Sequence, residues 1–346
     1  MSDISTVAAV RYCSNLAGSA WHGSQAGGAF ERWRFDALSD DGSEALVIEF
    51  TDNYPLSPRY VAGASAHDLR LAPAVSLAYS VDGKIVLRAL NEYEGDAFHA
   101  GDGVGGRIAN SSFNFMTANY GAGFVIKLDL LTSNGRITGG LEWISIETDL
   151  LPDPEEDMSS SLTINMAVSR ADVSGRLTLT SKNGDALRAA HFRGTGYHEH
   201  LRSEGPLTTR FMCQGHAHFS DATAVVAFIE PTVRNAASSR LSTVRNGEML
   251  SQDATLEMSD LKRDRYGMRV PGQMAFATDD GVKLQLRPLR VVDRGFLSTA
   301  MTCEAVLHVG DGKPRRTAGL LEFCSPARMR HTTVRWLHDL RIERKG

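Results

Sequence analysis

Apolar and polar positions along the chain fall into short runs of strand length, and long stretches with helical three-to-four spacing are scarce. Residues 45–50 (ALVIEF), 84–87 (KIVL), 124–128 (FVIKL) and 224–229 (AVVAFI) are rich in β-branched and aromatic side chains. Between such runs stand seven Asx-Gly pairs: Asp41-Gly42, Asp82-Gly83, Asn134-Gly135, Asn183-Gly184, Asn246-Gly247, Asp280-Gly281 and Asp311-Gly312. These pairs suit tight hairpins, whose central residues need positive φ. The pattern predicts an all-β chain of antiparallel strands. Two segments depart from it. Residues 149–161 (DLLPDPEEDMSSS) are acidic, hold two prolines and read as an exposed loop or linker. Residues 325–346 read as a short C-terminal helix, with Val334, Leu337 and Arg341 along one face and Trp336 and Leu340 along another. It is expected to be solvated or to cap a domain.

At 346 residues the chain exceeds what one barrel usually holds, so two β-barrels or sandwiches packed together are expected, divided as 1–205 and 206–346. The 37 Lys+Arg against 41 Asp+Glu leave a formal charge of −4, which excludes most nucleic-acid partners because phosphate binding needs clustered cations. Apolar residues at 42% and charged residues at 23% fit a packed soluble protein. No stretch approaches the roughly 20 apolar residues of a membrane span, so a lipid-soluble partner would be held inside the fold or met at a membrane surface. The N-terminus lacks a basic segment followed by an apolar run, so a cytoplasmic location is expected. Cys13, Cys213, Cys303 and Cys324 form no C-x-x-C pair and are expected to be reduced and buried.

Chemistry concentrates in residues 191–204 (HFRGTGYHEHLRSE). As a strand this segment places Tyr197 and Glu199 on one face and His198 and His200 on the other. His216 and His218 share a face of the next candidate strand. A carboxyl beside Tyr197 in an apolar barrel interior would have its charged form disfavoured, the condition for a general acid near neutral pH. The competing reading pairs Glu199 with Arg193 or Arg202 in a structural ion pair. A metal reading also exists, since His198-x-His200-x₃-Glu204 has cupin-like spacing, but the surrounding glycines do not fall where that motif needs them. Residues 30–36 (FERWRFD) read as a strand with Glu31, Trp33 and Phe35 on one face and Arg32 and Arg34 on the other; the first face lines a pocket or fills a core. The G-x-G-x-x-G at residues 101–106 precedes a strand-like run, so the helix N-terminus that cradles pyrophosphate is missing. Hydrolase and kinase signatures are absent.

These residues resemble a family. Residues 30–35 (FERWRF), followed by Asp41-Gly42 and LVIEF at 46–50, are similar to the E-W-W-Y-F opening of the AttH-like and carotenoid 1,2-hydratase-like proteins. Gly194-Thr195-Gly196-Tyr197-His198-Glu199-His200 is similar to their G-x-G-Y-H-D-H-N-W/Y-G signature. Residues 54–60 (YPLSPRY), 89–93 (ALNEY, with Asn91), 110–113 (NSSF, with Ser112) and 215–219 (GHAHF) fit bacterial members. The resemblance implies two tandem lipocalin-like (calycin) barrels and a hydrophobic pocket near their interface. It implies hydration of a prenyl double bond, or cyclisation as in the fungal members, with the acid of the Y-H-D triplet as proton donor. Glu199 holds that place here, lengthened from Asp, and Leu201, Arg202 and Ser203 replace the N-W-G that follows.

The expectation is therefore an enzyme that needs no cofactor or metal and acts on a hydrophobic prenyl, terpenoid or polyene molecule. Acid-assisted cyclisation or isomerisation leads; hydration, a lipophilic-ligand carrier and a metal-dependent site at the histidines are the alternatives. Glu199 would donate the proton; Tyr197, His198 and His216 would position it or shuttle protons. Glu31, Trp33, Phe35, Asn91, Ser112, His200 and His218 would contact substrate.

Overall fold

The computed structural model describes residues 9–23, 26–66, 72–119, 121–151, 160–232 and 237–344. A large sheet carries, in order, Glu343–Arg344, Lys84–Glu92, Ala74–Val81, Glu44–Thr51, Phe30–Leu38, Ala186–Ser203, Ser160–Ser181, Gly135–Thr148, Gly121–Thr132, Ser111–Ala118, Gly105–Ile108 and Phe98–Ala100, with Ala9–Cys13 alongside Ser160–Ser181. It curls into a barrel. Asn91 helps to close it: its amide donates to the Leu131 carbonyl at 2.9 Å and accepts the Leu131 N–H at 2.7 Å, a peptide-like clasp between strands that are not ladder partners. A second sheet runs Glu248–Asp253, Ser238–Arg245, Thr223–Pro231, Thr209–His218, Arg315–Cys324, Ser298–Val309, Val282–Arg294, Gln273–Ala277 and Thr255–Ser259.

All seven Asx-Gly pairs sit in hairpin connections. At only two of them are both central residues at positive φ: Asp82 (50°) with Gly83 (75°), and Asn246 (53°) with Gly247 (77°). The others are looser turns. In the Val309–Arg315 connection Gly310 takes the left-handed conformation at 52°.

The first barrel is filled by Trp33, Phe35, Phe50, Phe113, Phe124, Trp143 and their neighbours. The second is filled by smaller or more flexible groups, among them Cys213, Met274, Phe276, Leu284, Met301 and Phe323. A third cluster, with Phe30, Ile164, Tyr197 and Leu201 from the first sheet and Met212, Val225 and Cys324 from the second, forms the seam between them. The four cysteines are buried and free.

The tail holds the expected helix, Thr332–Asp339, with Trp336 and Leu340 exposed and His338 buried against Tyr54. After it the chain returns to the first sheet, where Glu343 pairs with Asn91 in parallel. A second helix, Pro58–Ala66, was not expected. It starts on Pro58, and the Ser57 hydroxyl accepts the Arg59 N–H at 3.0 Å, so local capping supports a helix too short for a periodic signal. Most of the expected linker, residues 152–159, lies outside the described residues. A strand, Gly105–Ile108, follows the glycine-rich segment, as its sequence implies.

Candidate functional site

The Ala186–Ser203 strand lies between Phe30–Leu38 and Ser160–Ser181. Its glycines allow close approach: a Cβ on Gly194 would meet the Leu38 carbonyl oxygen at 2.0 Å, and one on Gly196 would meet the Trp143 indole at 2.5 Å. The two faces of the strand then enter different surroundings.

One face looks into the first barrel. His198 stacks on Phe35 at 4.1 Å and packs edge-on against Phe124. Its Nδ1 lies 2.9 Å from the Arg34 carbonyl, and burial holds its pKa down to about 3, so it is a neutral donor to the backbone. His200 stacks on Trp33 at 4.9 Å. Glu31 points to the same side, 2.9 Å from His200 Nε2 and 3.2 Å from His22 Nδ1. Burial would raise the Glu31 pKa, but the two histidines outweigh it and hold the carboxyl at about 2.

The other face looks into the seam. Tyr197 hydroxyl donates to Glu199 Oε2 at 3.2 Å, and Glu199 Oε1 accepts from Gln214 Nε2 at 3.0 Å and Arg32 Nη2 at 3.3 Å. Arg32 also reaches Gln214 Oε1 (2.8 Å), Glu322 (3.1 Å) and Glu49 (3.4 Å). Arg34 binds Asp36 at 2.8 Å, Glu49 at 3.2 Å and Glu322. His216 donates from Nε2 to Asp36 at 2.7 Å, and its ring stacks on Tyr197 at 4.8 Å.

Two guanidiniums thus face four carboxyl groups in a nearly dry seam. Burial pushes Glu199 and Glu49 up, while the arginines and, for Asp36, His216 overcome burial and hold Asp36 and Glu322 down. Among the four, Asp36 and Glu322 are thus the stronger acids, and Glu199 and Glu49 hold a proton more readily than exposed glutamates. Burial and the neighbouring Glu199 also push the Tyr197 phenol well up, so it stays a hydroxyl.

The geometry regroups the residues singled out in the sequence. Tyr197, Glu199 and His216 come together. His198 does not join them, because alternation turns it into the barrel, against Phe35 and Phe124. Glu199 faces the seam and not a barrel interior, and its cation is Arg32, not Arg193 or Arg202; Arg202 binds Glu204 instead. Trp33 and Phe35 are fully buried in the core of the first barrel. Asn91 is occupied in the barrel clasp. Ser112 lies on the opposite side of its strand from the core residue Phe113. His218 borders the seam cluster, its ring tilted against His216 at 4.8 Å and its Nδ1 3.2 Å from the Thr223 hydroxyl. Arg32, Arg34, Asp36, Glu49, Gln214 and Glu322 were not anticipated as site residues. Charged residues alternating with Trp33 and Phe35 were the signal for the first three; nothing local marks Glu322.

A hollow of about 50 Å³ between the barrels touches this cluster, lined by Arg34, Glu49 and Glu322 and also by His338 and Arg341 of the tail. Larger hollows lie on the second sheet. One of about 620 Å³ is bordered by Met258, Gln285, Arg287 and Glu304; another of about 430 Å³ by Phe211, Arg263, Arg269 and Arg328. Neither shares a lining residue with the Glu199 cluster.

No protein-family model matches the chain. A protein of Chlorobaculum tepidum named hydroxyneurosporene dehydrogenase is 21% identical over 349 residues, covering 94% of this chain and 90% of its own length. Among solved structures, CghA aligns with a TM-score of 0.61 at 15% identity over 86% of this chain and 88% of its own. An AttH assignment from Nitrosomonas europaea aligns at 0.59 and 12% identity, over 86% of this chain and 92% of its own. The resemblance read from the sequence holds. The chain has the paired lipocalin-like barrel fold of these proteins, and CghA has also been solved with Sch210972, at a TM-score of 0.58. Among the described residues no helix is long and apolar enough to cross a membrane.

Proposed function

We propose that the chain is an enzyme of the hydratase and cyclase kind that protonates a hydrophobic prenyl, terpenoid or polyene molecule, with Glu199 as proton donor. The observation that carries this reading is the place of Glu199 in the seam: it is buried beside Tyr197 and shares its arginines with three other carboxyl groups, and burial outweighs them and raises its carboxyl above the ordinary range, the direction a proton donor needs. Tyr197, hydrogen-bonded to Oε2, can hold the acid in place and return a proton to it. The name of the Chlorobaculum relative and the small molecule solved with CghA favour a lipophilic substrate. The 50 Å³ hollow has room for a water or two, so admission of substrate requires the tail around His338 and Arg341 to lift from the seam. The two barrels, divided at residues 205/206, would then act as jaws around the reaction.

The test is turnover of a panel of prenylated and polyene compounds by the wild type and by Glu199→Gln. Loss of turnover with folding intact supports the reading, and undiminished turnover overturns it. Products formed in ¹⁸O-labelled water separate the two reactions, since hydration takes up solvent oxygen and cyclisation only solvent hydrogen.

A carrier without chemistry is the second reading. It is favoured by the ligand-sized hollows of the second sheet and by the Arg32 contact on Glu199. It expects ligand to bind unchanged in Glu199→Gln with no product from either protein.

A further inference from the structure

We propose that His22, Glu31 and His200 form a binding site for one divalent transition-metal ion, best matched by zinc, at the end of the first barrel. The three ligand atoms, Nδ1 of His22, Oε2 of Glu31 and Nε2 of His200, lie within 4.8 Å of one another. Glu31 Oε2 is 2.9 Å from the His200 nitrogen and 3.2 Å from the His22 nitrogen. Ligands about 2.0 to 2.1 Å from a tetrahedral zinc lie about 3.3 Å apart, so small side-chain shifts admit the ion.

The second observation is the hydrogen bonding of His200. Its ring is buried to 1% exposure, and Nδ1 lies 3.0 Å from the Gly18 carbonyl, which fixes a proton there. Its Nε2 is turned towards Glu31 Oε2 at 2.9 Å, yet it makes no aligned hydrogen bond. The nitrogen and the carboxylate oxygen stand side by side as two ligand atoms of one ion would.

The surrounding contacts are those of ligands held in place from behind. The carbonyl of Gly18 orients His200, and the backbone N–H groups of His22 and Gly23 donate to Glu31 Oε1 at 2.8 and 3.1 Å, so Oε2 is the oxygen turned to the two imidazoles. Two imidazoles and one carboxylate make a donor set suited to zinc, with a fourth position for water. The His22 side chain is 35% exposed, so the ion has a way in from solvent. The site lies on the face of the Ala186–Ser203 strand opposite Glu199, and its occupant would tie the segment around His22 to the barrel.

The experiment is calorimetric titration of chelator-treated full chain with zinc chloride, backed by elemental analysis after gel filtration and by the visible spectrum of the cobalt(II) form. The expected result is one zinc per chain, with affinity falling at least about tenfold in His22→Ala and in Glu31→Gln. His22 lies near the surface, so His22→Ala decides alone if Glu31→Gln fails to fold. Absence of zinc uptake by the wild type at micromolar metal overturns the proposal. So does uptake undiminished in His22→Ala. Neither readout uses turnover, so the result stands apart from the fate of the Glu199 reading.

Discussion

On one face of the Ala186–Ser203 strand His198 lies flat against Phe35 and His200 against Trp33; on the other, a residue away, Glu199 meets Tyr197, Gln214 and Arg32. The backbone is shared and the burial is equal, yet the chemistry differs. Packed between Phe35 and Phe124, His198 is kept neutral by burial and serves the Arg34 carbonyl. In the seam, Phe30–Leu38 contributes Arg32 and Arg34 while the second sheet contributes Gln214, His216 and Glu322, so protons and charges are shared among many groups. What a strand face can do is thus set by the sheet packed against it.

The largest expected effect is chemical. Glu199→Gln should lower turnover by about 10²- to 10⁴-fold while its circular dichroism matches the wild type. An unchanged rate would reduce the seam to structural adhesive between the barrels. Next, Arg34→Met should cost about 3–5 kcal/mol in urea unfolding, because buried Asp36 loses its guanidinium and buried Glu322 one of its two. A loss within about 0.5 kcal/mol would mean that water reaches the seam.

A smaller effect is expected on the barrel face. His198→Phe should cost about 1–3 kcal/mol, since the Arg34 carbonyl loses its donor, and should leave the pH profile of turnover in place. A shifted profile would restore His198 to the proton path and break the separation of the two faces. The smallest effect concerns pH. The Glu199 carboxyl is raised from 4.5, so the folded state holds this proton more tightly than the unfolded chain does. Its contribution is full below about pH 4.5 and is lost as pH rises through the raised value. Urea midpoints at pH 5 and pH 8 should therefore fall less in Glu199→Gln than in wild type, with Glu49 keeping part of the slope.

Much of this was legible in the chain. The Asx-Gly pairs marked hairpins, and alternation placed Tyr197 with Glu199 and His198 with His200. It also separated Glu31, Trp33 and Phe35 from Arg32 and Arg34. Which face of the Ala186–Ser203 strand met the core and which met the seam was not legible, because both are buried and both carry titratable side chains, His198 and His200 on one and Tyr197 and Glu199 on the other. His22 sits in a loop whose path no periodicity predicts, and Glu322 comes from a strand nearly 300 residues away from Arg32.

The sequence by itself determined the all-β architecture, the hairpin positions and the side-chain partition of each strand, because these follow from turn chemistry and a two-residue period that are local. Only the tertiary structure decided that Glu199 shares two arginines with three other carboxyl groups and that Glu31 lies between two histidines. Protonation depends on the charges within a few ångströms, and here those charges arrive from strands far apart in the chain.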